Sequence, residues 1–148
     1  SWDARLGHCR IDTDKTQGFA GFPGKEPIRC RDVQLQLTGD FAVAVVTSLD
    51  HEPLKKSRRM LLSAIARGWN KGMKFNPLRN RITVRGTLPR VMQPVTGRIK
   101  LLRPGKGLAV HALDYSGRRL TAPNIIEESD GVVVELTGAP HYELIFAD

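Results

Sequence analysis

The sequence predicts an all-β protein: a single antiparallel β-sandwich, jelly-roll or immunoglobulin-like, of about ten short strands. Three observations carry this. Apolar and polar residues alternate with period two in several segments, as in Val33, Leu35 and Leu37 against Asp32, Gln34, Gln36 and Thr38, which marks strands with one face in a core. These segments are of strand length and are bounded by Gly, Pro, Asn or Asp. Only one stretch also fits the spacing of a helix. With 148 residues and 41% hydrophobic content, residues 1–148 read as one module with its own core.

In chain order, His8 to Thr13 and Gln17 to Phe22 are extended segments, the second stopped by Pro23-Gly24. Arg31 to Thr38 follows, and Gly39-Asp40 turns the chain. Phe41 to Leu49 is rich in β-branched and small apolar residues, which predicts a central strand covered on both faces. His51 to Ser57 holds Pro53 and reads as a loop. Arg58 to Trp69 fits a helix or a strand by periodicity. The flanking strands, and Gly68 with Asn70-Lys71-Gly72 as a hairpin tip, decide for strand. Asn80 to Gly86 alternates with Ile82 and Val84 expected inward, and Gly97 to Leu102 with Ile99 and Leu101 inward. Leu108 to Asp114, Ile125-Ile126, Gly131 to Thr137 and His141 to Phe146 complete the strands.

Charge is sorted along the chain. Pro53 to Leu113 holds fifteen Lys and Arg and no Asp or Glu, within a chain of net charge +8. A field of one sign attracts polyanions: acidic polysaccharide, nucleic acid or an anionic surface. No apolar run is long enough to span a bilayer, so no membrane partner is expected. The opening Ser1-Trp2-Asp3-Ala4-Arg5 lacks the order of a signal peptide and no initiator methionine is present. The chain therefore reads as a mature fragment or a module cut from a larger protein. Cys9 and Cys30 either close a loop of about twenty residues as a disulfide or remain two buried thiols. The cysteines and His8, His51, His111 and His141 show no zinc spacing, and no cofactor or metal is expected.

Catalytic constellations are not evident. Asp50 with Glu52, Glu127 with Glu128, and Asp12 with Asp14 are acid pairs beside turns, where solvated loop carboxylates are commoner than a glycosidase pair. No Gly-x-Ser-x-Gly elbow occurs, and Pro104-Gly105-Lys106-Gly107 lacks the spacing of a nucleotide loop. The sequence reads as non-enzymatic. Sugar binding needs an aromatic ring to stack on a pyranose and polar groups to meet its hydroxyls. Trp69 and Phe75 with Arg67, Asn70, Lys71 and Lys74 supply these types, and Trp2 and Tyr115 are further rings next to turns. The same stretch offers phosphate contacts and stacking rings to single-stranded nucleic acid. With no RNP-like pattern and no groove-entering helix, nucleic acid ranks below sugar.

A set of short signatures runs in order through the strands: Ile11-Asp12-Thr13 with Thr16-Gln17-Gly18 and Gly21; Ser48-Leu49-Asp50 with Ser57-Arg58-Arg59-Met60-Leu61-Leu62; Ala66-Arg67, Asn70 and Gly72-Met73; Pro94-Val95-Thr96-Gly97; and Ala112-Leu113-Asp114 with Gly117-Arg118-Arg119. In this order they resemble the C-terminal β-sandwich accessory domain attached to the TIM-barrel domain of large secreted bacterial glycoside hydrolases. The resemblance covers roughly Ile11 to Phe146 and implies a secreted, non-catalytic domain. Such a domain would act as a carbohydrate-binding module for a plant cell-wall polysaccharide (xylan, β-glucan or a uronic-acid-bearing glycan), or as a packing partner of the covalently attached hydrolase. The matched residues are structural and bring no ligand or catalytic residue with them.

Overall fold

The structure, a computed structural model, describes residues 1–5 and 7–147. Among them are sixteen strands and no helix. They are β1 (Trp2–Asp3), β2 (His8–Asp12), β3 (Thr16–Gly21), β4 (Ile28–Arg29), β5 (Val33–Leu37), β6 (Ala42–Ser48), β7 (Arg59–Ile65) and β8 (Gly68–Lys71). Then come β9 (Lys74–Phe75), β10 (Ile82–Val84), β11 (Thr87–Met92), β12 (Thr96–Leu101), β13 (Leu108–Leu113), β14 (Ile125–Glu128), β15 (Gly131–Thr137) and β16 (His141–Phe146). The excess over the expected number comes from two-residue strands and from an extra pair of ribbons between β7 and β12.

A seven-stranded sheet of order β1-β2-β3-β6-β7-β16-β13 packs on a five-stranded sheet of order β14-β15-β12-β5-β4, and every pairing is antiparallel. Period two sets which residues face inward. Val33, Leu35 and Leu37 of β5, Ile99 and Leu101 of β12, and Val132, Val134 and Leu136 of β15 are buried. They oppose Ala42, Ala44 and Val46 of β6, Met60, Leu62 and Ala64 of β7, and Tyr142, Leu144 and Phe146 of β16 in one cluster. Burying a Val, Leu or Ile side chain contributes about 1.5–3 kcal/mol, and slipping any of these strands by one residue would turn its whole apolar set outward. The ambiguous segment is thus a strand, β7, with Leu61, Ser63 and Ile65 half-buried on its outer face. β6 is central as expected but covered on one face only, since Val43 and Val45 are half-exposed. Cys9 and Cys30 are free thiols.

Two polar clamps, one on the buried Tyr142 and one on the half-buried Asp50, tie loops to this core. The Tyr142 hydroxyl, fully enclosed, accepts hydrogen bonds from the N–H groups of Thr137 (2.8 Å) and Ala139 (3.2 Å), fixing the turn between β15 and β16. In the loop after β6, Asp50 accepts from the hydroxyls of Ser48 and Ser57 (both 2.8 Å) and from the N–H groups of Glu52, Arg58 and Arg59. Desolvation works to raise the Asp50 pKa, but the hydrogen bonds outweigh it and hold the carboxyl well below the usual range.

Tyr142→Phe strands two backbone donors, and is expected to lower unfolding free energy by about 1–3 kcal/mol in urea titrations. For Asp50 the depressed native pKa means its stabilisation is present above the unfolded value and is lost as pH falls through the native one. Urea midpoints should therefore decline below about pH 4, and Asp50→Asn should be less stable at neutral pH with a flatter acid limb. An unchanged acid limb in the variant would contradict this role.

Candidate functional site

Between β7 in the large sheet and β12 in the small one, residues 67–94 contribute nothing to the core cluster. They form an arm of two ribbons, β8 with β11 and β9 with β10, that pair only with each other. The base of the arm is held by Gln93 N–H donating to the Arg67 carbonyl (2.9 Å), and by Arg67 itself, which pairs with Asp40 (3.5 Å) and lies over the Phe41 ring at 5.6 Å.

The bend between the ribbons requires glycine. At Gly86 φ is +68°, and a Cβ there would meet the Lys71 carbonyl at 2.5 Å and the Met73 nitrogen at 2.6 Å. Asn70-Lys71-Gly72, expected as the tip of a hairpin, lies instead at this bend, and β9 carries the chain onward. The tip is Asn76 to Arg81. There the Asn76 side chain accepts from the N–H groups of Asn80 and Arg81 (both 3.1 Å) and donates to Asn80 Oδ1 (2.7 Å), while Arg79 takes a positive φ. An asparagine bonding its own turn is a better signal than Asn-Lys-Gly, though equally local.

Register orders the side chains. Trp69 lies opposite Val91 and Asn70 opposite Arg90, on the other side of the ribbon; alternation along β8 puts Lys71 on the Trp69 side, and Lys71 pairs with Thr87 beyond a register irregularity in β11. Asn70 donates to the Arg85 carbonyl (3.2 Å), a structural use of an expected ligand group. Trp69 is half-buried, and Lys71 and Lys74 are exposed. Phe75 lies opposite Ile82 with the Arg79 guanidinium 5.6 Å from its ring centre. The arm thus gathers Arg67, Trp69, Asn70, Lys71, Lys74 and Phe75. It leaves out Trp2, on the β1 edge of the large sheet, and Tyr115, just past the β13 edge, 64% exposed and edge-on to His141. The Trp2 side chain lies outside what the structure describes.

Ile82 and Val84, expected inward, are 49% and 45% exposed. Their alternation is real, but no second layer covers β10. Leu78 at 80%, Leu88 at 78% and Val91 are exposed on the same arm. The sequence reading missed these aliphatics, and it missed β11, whose Pro89 argues against a strand interior.

Charge separates the arm from the sandwich. Sandwich cations of the basic stretch are matched by acids from the last third of the chain: Arg59 by Glu143 (3.0 Å), Arg98 by Glu135 (3.0 Å), and Lys100 by Glu128 (2.6 Å) and Asp130. Glu143 also takes Arg119 at 3.1 Å, and these two arginines lower its pKa. On the arm, Lys71, Lys74, Arg79, Arg81, Arg85 and Arg90 make no ion pair among the described residues. No group of three His, Cys, Asp or Glu among the described residues is placed to hold a metal ion. The acid pairs weighed for hydrolysis are engaged elsewhere, Asp50 in its loop clamp, Glu128 with Lys100 and Asp14 with Arg31. The chain matches no protein-family model, no curated protein and no solved structure.

Because the arm lies outside the core, it should be dispensable for folding. Replacing residues 72–86 with Asn-Gly, a two-residue turn suited to the Lys71–Thr87 pair, is expected to leave the denaturation midpoint within about 1 kcal/mol of the parent. Collapse of the fold in that variant would mean the arm carries packing energy after all.

Proposed function

We propose that this protein is a non-catalytic carbohydrate-binding module whose arm captures an acidic plant-wall glycan, one bearing uronic acids. One observation carries the reading: six cations that make no ion pair among the described residues share an arm with the Trp69 ring, which has Lys71 on its own side of β8. An indole can stack on the CH face of a pyranose while the cations meet carboxylates along the chain. The resemblance to accessory domains of secreted glycoside hydrolases supports this choice of polyanion. Tethering an attached hydrolase to its substrate would raise local concentration without new catalytic chemistry.

Five exposed aliphatics on the arm favour a second reading, in which it docks on an acidic surface of that attached hydrolase domain. Neither a glycan nor nucleic acid needs Leu78 or Leu88 bare. The two readings differ in which substitutions matter.

Affinity electrophoresis through polygalacturonate, neutral xylan and β-glucan separates them. Retardation by polygalacturonate is expected, weakened roughly tenfold by Trp69→Ala and by Lys71→Glu with Lys74→Glu, and unaffected by Leu78→Ser with Leu88→Ser. No retardation in any gel, or retardation indifferent to Trp69 and the lysines, overturns glycan capture. Steeply salt-dependent binding to single-stranded DNA in place of glycan would transfer the arm to nucleic acid.

A further inference from the structure

The two outer faces of the sandwich are unlike. On the small sheet the outward positions carry Gln34, Gln36, Arg98, Lys100 and Glu135, as a face turned to water should. On the large sheet β6 lends Val43 and Val45, β7 Leu61 and Ile65, β3 Ala20 and β2 Ile11, all half-exposed. No outward position of β3 or β6, nor of β7 from Leu61 to Ile65, carries a charge. Strand spacing makes this block about 20 Å by 20 Å, roughly 400 Å², the size of the largest apolar patch a monomer commonly leaves bare. None of it belongs to the arm, so it stands apart from glycan capture.

The polar side chains within and beside the block are already hydrogen-bonded. The Thr47 hydroxyl donates to Thr16 Oγ1 (3.4 Å), Ser63 Oγ and His141 Nδ1 share a hydrogen bond (3.0 Å), and Glu143 accepts from both Arg59 (3.0 Å) and Arg119 (3.1 Å). β3, β6 and β7 are interior strands, so their backbone N–H and C=O groups are paired in the ladders. Covering this face therefore removes aliphatic surface from water without stranding any of these groups, the cost that keeps most sheet faces wet.

We propose that this face is the interface of a two-fold homodimer, in which the large sheets of two copies pack on one another. Sheets in face-to-face contact sit about 10 Å apart with strands within about 30° of each other, and an isologous contact needs only the one face. Charge selects the occupant. Each copy carries net charge +8, so two copies repel wherever cations meet, and on the block they can close without setting cation against cation. An acidic partner would gain nothing from a charge-free face, whereas a second copy gains by avoiding its own cations. At the margins Arg59 and Arg119 are paired with Glu143, and Arg67 with Asp40. A standard interface takes about 800 Å² from each partner, apolar at its centre and polar at its rim. The block has the size of such a centre, and these ion pairs stand where its rim would be.

Sedimentation velocity of the whole chain from about 1 µM to about 1 mM, the range in which a modest interface dissociates, is the test. The mass is expected to rise from that of one chain to that of two. Val45→Lys and Leu61→Lys change residues half-exposed in a single chain, so both should keep the parent's urea midpoint at low protein concentration and weaken association at least about tenfold. Salt gives a reading that needs no substitution: screening relieves repulsion between like-charged copies, so the dimer should tighten as salt rises, the reverse of an acidic ligand on the arm. Leu78→Ser with Leu88→Ser should leave association unchanged, and Val45→Lys should still be retarded by polygalacturonate, which keeps this result separate from that of the arm. A single-chain mass throughout the range would overturn the dimer and give the face to an attached domain. Association indifferent to Val45→Lys and Leu61→Lys, dependent on Leu78 and Leu88, or weakened by salt would overturn it equally.

Discussion

The constraint on which the rest depends is the closure of two apolar sheet faces on one another. The inward residues of β5, β12 and β15 and those of β6, β7 and β16 form one cluster, which takes up all the fully buried aliphatic residues of β5, β6, β7, β12 and β16. Charges can then be placed only on the outer faces of the strands, in loops, or on segments outside the sandwich. The chain between β7 and β12 must also pass from one sheet to the other. A short loop would suffice, yet the chain spends residues 67–94 on ribbons that add nothing to the core.

Charge follows from that geometry. The acids of β14 to β16 come to lie beside the cations of β7 and β12, so the basic stretch is neutralised where it runs through the sandwich. Where it leaves the sandwich it cannot be, because no acidic strand accompanies it. The stretch is therefore divided into three parts: paired in the strands, without ion pairs among the described residues on the arm, and folded back on itself where Lys55, Arg103 and Lys106 meet the end of β16. A net positive charge alone would not have predicted this division.

The layered fold was legible in the sequence because period-two burial is written residue by residue: Val33, Leu35 and Leu37, then Ile99 and Leu101, are where alternation puts them. The arm was legible in composition and misread in geometry. Ile82 and Val84 alternate like half-buried residues, but alternation records which side a side chain takes, not whether a second layer lies there. Gly72 does bend the chain at positive φ, but the reversal belongs to Asn76, and only the pairing of β9 with β10 distinguishes the two. Of the expected ligand rings, Trp69 and Phe75 share the arm, while Trp2 lies in β1 and Tyr115 just past β13, at opposite edges of the large sheet. That Lys55 and Lys106 line one cavity was not legible, since they are distant in sequence and come together only when two loops meet.

The two cationic surfaces differ in a way that bears on what each can do. Charges on the arm stand in water, where salt screens them beyond about 8 Å at physiological ionic strength. They can attract an acidic partner and speed encounter, but each contact is weak and replaceable, so discrimination has to come from the rings or the aliphatics beside them. Arg103 is partly removed from water and locked by two carbonyls and a ring, so its field is less screened and its geometry less negotiable. One run of residues without acids produces both surfaces, because the sandwich holds its ends together and leaves its middle outside.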